Sequence, residues 1–346
     1  MSERRIYIDR GIGETRGVLT LDDRPERLLI RRDGAEPRLI LGARAAARVQ
    51  SVEPALATAF LDLGDGAEAI LPFKPDARPA RGAMVEIEVR AEPRRGKLAI
   101  GRLVGEAAGA PRLLKAAPDP LDALRAIARD AEVVDGREAR DVADEAEAEA
   151  LEVLHPLPGG GTLSIEPTRA LTAIDVDLGE RKGADAKRVT RQANLAALKE
   201  AARLLRLKGL GGLVIVDLVG RGHDGAALMT AARAAFGPDN PGVAIGPVGR
   251  FGTMEISLPR RIRPLAELLC RDDGAPSDRT LAQRLVRRML AEGEANPGGR
   301  IEAICHPAVA EAARPLVDIL AGRLGARFVL TPSADRGRGA VEVARA

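Results

Sequence analysis

The period at which apolar residues recur restricts this chain most, because it changes along the sequence. Near the N-terminus the runs are short and two-periodic: Arg5-Ile6-Tyr7-Ile8-Asp9, Arg16-Gly17-Val18-Leu19 and Arg27-Leu28-Leu29-Ile30, with Gly-rich and Asp-Asp turns between them. Successive strand residues face opposite sides of a sheet, so this reads as a short antiparallel meander. From Pro37 to Gly105 the runs Ile40-Leu41-Gly42, Ala47-Arg48-Val49, Ala59-Phe60-Leu61-Asp62-Leu63-Gly64, Ala69-Ile70-Leu71-Pro72 and Val85-Glu86-Ile87-Glu88-Val89 follow at even spacing. Five such strands separated by turns predict a small closed barrel.

Beyond a Pro/Ala/Gly stretch at Gly105–Pro120, read as a linker, the texture becomes helical and then alternating. Asp119 caps a helix over 121–128, a strand covers Glu132–Asp135, and Arg137–Leu154 is an Ala-rich helix whose acidic run 141–149 reads as a solvated face. Strands at Thr162–Glu166, Ala170–Asp177, Leu213–Leu218 and Thr253–Leu258 alternate with helices at Val189–Leu207 and Ala226–Phe236. A final unit combines helices at Asp278–Glu292 and Pro307–Leu324 with strands at Ile301–Cys305, Arg327–Leu330 and Ala340–Ala344. The fold class is multidomain α+β, and 346 residues suffice for two or three cores.

Charge permits a nucleic-acid partner without requiring one: the net charge is +3, and most of the cations are arginines, which suit bidentate phosphate contacts. Rings are scarce, with no Trp, one Tyr and five Phe, so a single-strand binder of this composition would lean on Arg planes and backbone contacts. Cys270 and Cys305 form no C-x-x-C pair, so no zinc site is readable and two free thiols in a reducing cytoplasm are expected. The start MSERRIYIDRG lacks the apolar core of a signal peptide, and no stretch approaches a membrane span; a soluble, cytoplasmic protein with no membrane partner is expected.

Two aspartates carry the chemistry. Asp175 closes one apolar strand and Asp217 another, and ligands of such sheets gather at the carboxyl ends of the strands. Two carboxylates arriving there can hold Mg²⁺, which binds through one or two carboxylates plus waters and substrate phosphate. Asp177, two residues on, points the same way on an extended chain. An Asp at a strand end also serves as a cap or turn former, and the pattern fits a nucleotide or sugar-phosphate enzyme equally well. His223 and the basic runs Arg181-Lys182, Lys187-Arg188, Arg191 and Arg260-Arg261-Ile262-Arg263 could meet phosphate or simply face solvent. Gly159-Gly160-Gly161 lacks a P-loop Lys-Ser/Thr and reads as a turn.

Two resemblances add to this reading. The segment Val49–Phe73 resembles the OB-fold RNA-binding module. The run Gly160-Gly161-Thr162-Leu163-Ser164-Ile165-Glu166-Pro167-Thr168-Arg169-Ala170-Leu171-Thr172-Ala173-Ile174-Asp175-Val176-Asp177 resembles the approach to the first catalytic Asp of the RNase E/G endoribonucleases. Asn194-Leu195, Arg203-Leu204-Leu205-Arg206-Leu207 and Gly209–Asp217 resemble the approach to the second, and Arg250-Phe251-Gly252-Thr253-Met254-Glu255-Ile256-Ser257 the signature that follows.

The resemblance implies an OB-fold barrel (37–106) inserted in a reduced RNase H-like part (1–36 and 107–157). A DNase I-like α/β catalytic domain (158–265), a linker (266–285) and a small α+β C-terminal domain (286–346) follow. It implies metal-dependent hydrolysis of single-stranded RNA to 5′-phosphate and 3′-hydroxyl ends. Asp175 and Asp217 would be catalytic and hold Mg²⁺ (or Mn²⁺), and Asp177 would be the third catalytic residue, standing where the family usually has an Asn that orients the metal or the attacked phosphate. Phe60, Arg95, Lys97 and Arg250 are the implied RNA contacts; Ile70 stands where the barrel surface has a second aromatic. The interval 107–157 carries no Arg-Thr sensor motif for a 5′-phosphate. Only Cys270 falls where the family's zinc-linking pair belongs, which implies a monomer or an oligomer joined without zinc. These departures keep open a non-catalytic RNA-binding protein of the same family, or a ribosome-associated assembly factor that docks through its C-terminal unit.

Overall fold

The computed structural model describes residues 3–181, 185–238 and 241–345. The chain begins as expected, with an antiparallel meander of β1 (Arg4–Arg10), β2 (Glu14–Leu21) and β3 (Arg24–Arg32). Asp22 and Asp23 take left-handed φ values of 51° and 60°, the backbone that a tight hairpin demands and that Asp tolerates. Ile6, Ile8 and Leu19 face one core, and Tyr7, Val18 and Leu28 face another.

A closed barrel follows. β4 (Arg44–Glu53), β5 (Thr58–Gly64), β6 (Ala67–Pro72), β7 (Met84–Ala91) and β8 (Ala99–Glu106) pair in the order β4-β5-β6-β8-β7 and back to β4. β4 closes the ring because it bends at a bulge between Val49 and Ser51: its first half pairs with β7 and its second with β5. The interior is filled by small and branched side chains such as Ala45, Ala47, Ala59, Leu61, Ala69, Ile87 and Ala99, giving an OB-like barrel.

The count of five strands holds, but one member differs. Ile40-Leu41-Gly42 is a turn, with Gly42 at φ 86° and the Ala43 N–H donating to Ile40 O. The fifth strand is β8, whose glycines hide its alternation; a Cβ on Gly101 would come within 2.8 Å of Ile87 Cδ1. The expected linker is partly ordered as β9 (Arg112–Lys115), which adds to the edge of β4.

The chain then returns to the first sheet. Asp119 Oδ1 caps α1 (Pro120–Arg125) by accepting the Asp122 N–H at 2.8 Å, and β10 (Glu132–Asp135) pairs parallel to β1, giving the order β10-β1-β2-β3. α2 (Gly136–Leu151) buries an alanine stripe, Ala139, Ala143, Ala146 and Ala150. Its acidic run is not simply a solvated face, because Glu147 is buried as well.

A six-stranded mixed sheet comes next: β11 (Leu154–Pro156), β12 (Thr162–Pro167), β13 (Thr172–Asp177), β14 (Gly212–Asp217), β15 (Ala244–Val248) and β16 (Thr253–Leu258), ordered β11-β12-β13-β14-β16-β15. Its one parallel pair, β13 and β14, is joined by α3 (Ala186–Lys208), and α4 (Gly225–Phe236) follows β14. Leu163, Ile165, Ile174, Val176, Val214, Val216, Met254 and Ile256 form the buried side of the sheet, in one core with α3, α4 and the alanine stripe of α2.

After α5 (Leu265–Leu269), whose Leu265 and Leu269 still belong to the core of the six-stranded sheet, the C-terminal unit comprises α6 (Asp278–Ala295), β17 (Ile301–Cys305), α7 (Pro307–Leu324), β18 (Phe328–Pro332) and β19 (Glu342–Arg345), with sheet order β18-β17-β19. α6 crosses the 285/286 boundary drawn from the sequence; its Leu281, Ala282 and Leu285 already lie in the core shared with α7.

A buried ion network ties α6 to the first sheet and α2. Arg16 meets Asp9 and Asp144, each at 2.6 Å. Arg287 meets Glu14, and Glu147 at 3.1 Å. Arg284 reaches Glu147 at 2.7 Å, and Arg32 reaches Glu14 at 3.2 Å. Among the described residues, no helix is long and apolar enough to cross a membrane.

Candidate active site

The side of the six-stranded sheet opposite α3 and α4 carries the residues that alternate with the core. On β13 these are Ala173, Asp175 and Asp177; on β14, Leu213, Ile215 and Asp217. The parallel register sets Asp175 directly opposite Asp217. Neighbouring strands lie about 4.8 Å apart, so two carboxylates rise side by side from the carboxyl ends of adjacent strands. Register extends the row in both directions, to Ser164 on β12 and to Thr253 on β16. The next row back, Glu166–Ala173–Ile215–Glu255, places one more carboxylate on each outer strand.

Asp175 and Asp217 are exposed, and among the described residues neither has an ion pair or a side-chain hydrogen bond. Asp177 lies one step further along the same side of β13, where its Oδ1 accepts the Gly179 N–H at 2.7 Å and shapes the turn. No group of three or more His, Cys, Asp or Glu forms a metal cluster among the described residues, so a cation at this row would have only the two carboxylates as protein donors. Hard carboxylate oxygens open to water suit Mg²⁺, which retains several waters.

The described segment after β14 and the β15–β16 turn are held by hydrogen bonds. Asn194, buried inside α3, donates from Nδ2 to Val219 O at 3.0 Å and accepts the Val219 N–H at 3.1 Å, which fixes the chain just after Asp217. The Leu218 N–H donates to Gly252 O at 3.1 Å, joining that segment to the turn between β15 and β16. His223 is close to Gly252, where a Cβ would meet its Nε2 at 3.2 Å. Lys187, Arg188 and Arg191 occupy the first turns of α3, and Arg191 pairs with Asp224 at 3.3 Å. Arg181 is committed to the Gly159–Gly161 turn through Gly160 O and Pro158 O; Lys182 lies outside the described residues.

The expected RNA contacts divide into two groups. Arg250 is at the acidic end, on the β15–β16 turn, with its guanidinium 4.6 Å from the Phe251 ring centroid. Phe60, Arg95 and Lys97 belong to the barrel, which docks at the other end of the sheet: the Glu92 N–H donates to Arg261 O at 2.7 Å, and Glu92 Oε2 accepts the Arg263 N–H at 2.9 Å. Those arginines lie beyond Leu258, which pairs with Gly212 at the start of β14, about 17 Å of strand from Asp217.

Phe60 is half-buried and lies opposite Ile70, which lies opposite Ile100, forming a row across the outside of the barrel. Ile70, Ile100, Arg94 and Lys97 line a cleft of about 190 Å³ against Gly209, Arg260 and Ile262. Arg95 points away toward α5 and the segment after it, pairing with Asp272 at 2.7 Å, while its N–H donates to Glu267. Cys270 and Cys305 are free thiols that burial pushes up.

Sequence reading missed Ser164, Thr253, Glu255 and Phe251. The first three follow from strand register alone. Asn194 had a legible signal, since it is a polar residue on the apolar side of a helix.

The architecture defines a class: mixed α+β proteins in which an OB-like barrel interrupts one sheet and docks on a second that bears an acidic strand-end pair. Sequence comparison shows what part of the chain is similar to. Residues 125–261 match the family model described as Ribonuclease E/G family. Ribonuclease E of Haemophilus influenzae is 33% identical over 145 residues, covering 39% of this chain and 16% of that protein. Ribonuclease E of Escherichia coli is 36% identical over 114 residues, 32% of this chain and 11% of that protein. A chloroplastic Ribonuclease E/G-like protein of Arabidopsis thaliana is 33% identical over 114 residues, again 32% of this chain and 11% of that protein. The matched segments thus span less than a fifth of each of these relatives.

Proposed function

We propose that this chain is a magnesium-dependent endoribonuclease that hydrolyses single-stranded RNA to 5′-phosphate and 3′-hydroxyl ends, in cytoplasmic RNA processing or decay. The observation that carries the reading is the register of Asp175 opposite Asp217 at the carboxyl ends of two parallel strands, on an open side of the sheet. The family-model match over 125–261, which includes both aspartates, supports it. Two like charges one strand spacing apart favour a cation between them. When bound, the ion supplies charge stabilisation to the phosphodiester and acidifies water.

Asp175 and Asp217 would hold the ion (Mn²⁺ being the alternative), with no zinc involved. Asp177, with Oδ1 held by Gly179, orients the strand end beside them. Asn194 keeps the Asp217 end fixed through Val219. Arg250 and the α3 residues Lys187 and Arg188 supply positive charge for the RNA backbone, and Phe60 and Lys97 extend that contact onto the barrel. On this reading the β10-β1-β2-β3 sheet with α1 and α2 is a reduced RNase H-like part and the six-stranded unit a DNase I-like one.

The test is cleavage of one single-stranded RNA, in 5′-phosphate and 5′-hydroxyl forms, with Mg²⁺ or Mn²⁺. Wild type is expected to cut both forms and Asp175→Ala with Asp217→Ala neither. Equal cleavage by the two proteins overturns the reading. Tight RNA binding with no metal-dependent cleavage across several substrates assigns the chain to the non-catalytic alternative.

A further inference from the structure

Phe251 is set apart from every other ring in the chain. Of the five Phe, Phe236 and Phe328 are buried, Phe60 and Phe73 are half-buried, and the single Tyr is buried; Phe251 is 78% exposed. A single exposed ring is ordinary by itself; what matters is where this one stands, because unpaired bases stack on aromatic faces.

Its surroundings are ordered. Phe251 occupies the turn of the β15–β16 hairpin, closed by the Gly249 N–H to Thr253 O at 2.8 Å and the Gly252 N–H to Gly249 O at 3.0 Å, with Gly252 at φ 85°. The turn is fastened to the acidic strand through Leu218 and Gly252, and Thr253 lies opposite Asp217. Strand spacing and two residues of chain put Phe251 within about 10 Å of that carboxylate. The Arg250 guanidinium stacks 4.6 Å from the ring centroid and covers one face of the ring. The other face is open.

We propose that Phe251, backed by Arg250, is a stacking platform for a nucleobase adjoining the phosphodiester held at Asp175 and Asp217. The ligand is the π-face of an unpaired base in single-stranded RNA. The platform rests on the proposed RNA-cleaving function and adds to it a base subsite next to the cut. It also answers the scarcity of rings in the composition: the one ring offered to solvent stands where strand register places the acidic pair. Stacking tolerates any base, so the subsite selects for an unpaired nucleotide rather than for a sequence.

The experiment measures binding of a short, fluorescein-labelled single-stranded RNA by anisotropy. The full-length protein carries Asp175→Asn and Asp217→Asn, so that no cleavage intervenes. Adding Phe251→Ala or Phe251→Leu is expected to weaken binding about tenfold, within the range for loss of one stacked base. Phe251→Trp is expected to restore it, and all variants should keep the parent melting temperature because the ring is exposed. In the cleaving background, Phe251→Leu should raise KM more than it lowers kcat.

Binding by Phe251→Leu equal to that of the parent overturns the proposal, since leucine keeps the apolar surface and loses only the ring. Dissociation of a dimer by Phe251→Ala with unchanged RNA affinity also overturns it. The two readings fail separately: absence of cleavage by wild type removes the endoribonuclease, whereas RNA affinity indifferent to Phe251 removes the platform.

Discussion

Ile8-Asp9 and Ile174-Asp175 are the same dipeptide on two strands, and they meet opposite fates. Asp9 is 4% exposed and bonded to the fully buried Arg16; with Glu14, Glu147, Arg32 and Arg287 it belongs to a network in which every carboxylate faces a guanidinium. Asp175 stands in solvent beside Asp217 with no partner among the described residues. A buried charge is tolerated only when paired, so the first set is architecture that holds α6 and α2 to the meander. The second set keeps its charge in water, side by side and unneutralised. That arrangement contributes nothing to folding and leaves the carboxylates free for a cation. An acidic strand residue is therefore read by its partners, not by its neighbours in sequence.

The contrast is broken most readily at Glu147. Glu147→Ala leaves Arg284 and Arg287 short of a buried partner and should cost about 3–5 kcal/mol in urea unfolding. A cost below about 1 kcal/mol would mean that the network is slack and that the two sets of carboxylates do not differ as argued.

Acid sharpens the same point with a smaller effect. Burial works to raise the Glu147 pKa, but the guanidiniums of Arg287, Arg284 and Arg16 outweigh it and hold the carboxyl below the usual Glu range. With its folded value below its unfolded one, Glu147 contributes stability in full above pH about 4.3 and loses it as pH falls through the folded value. Thermal melts of wild type should decline over that interval, and Glu147→Gln should flatten the decline.

The smallest effect belongs to the exposed pair. Asp175→Asn with Asp217→Asn should move stability by no more than about 0.5 kcal/mol, upward if at all, because it relieves like-charge repulsion. A marked loss in the same melts would reassign the pair to the fold.

Much of this was legible in the sequence where periodicity was clean. The strand Thr253–Leu258 and the helix Pro307–Leu324 lie where alternation and helical spacing put them, and Asp119 caps its helix. β8 and β15 were missed because Gly101, Gly105 and Gly246 interrupt their alternation. The acidic pair was legible as two strand ends. That they stand opposite each other is a property of register, which depends on α3 returning the chain parallel to β13. The separation of the expected RNA contacts into two ends of one sheet was not legible, since it follows from where Glu92 meets Arg261 and Arg263 across more than a hundred residues of chain. Arg95 illustrates the same limit: its sequence neighbourhood is barrel, and its partner Asp272 lies in the segment between α5 and α6.

To the meander, the barrel is a loop. β1 waits for β10 across the whole insertion, with Arg5 opposite Glu132. The entropy of closing a loop grows only with the logarithm of its length, so a long guest burdens its host little more than a short one, provided its two ends emerge together. The barrel meets that condition internally: β4, where the chain enters, and β9, where it leaves, are hydrogen-bonded neighbours, with Arg44 opposite Lys115. The pair forms a stalk that any domain could occupy. The meander is built to accept a graft, and what makes this particular barrel hard to exchange is its grip on Arg261 and Arg263 through Glu92.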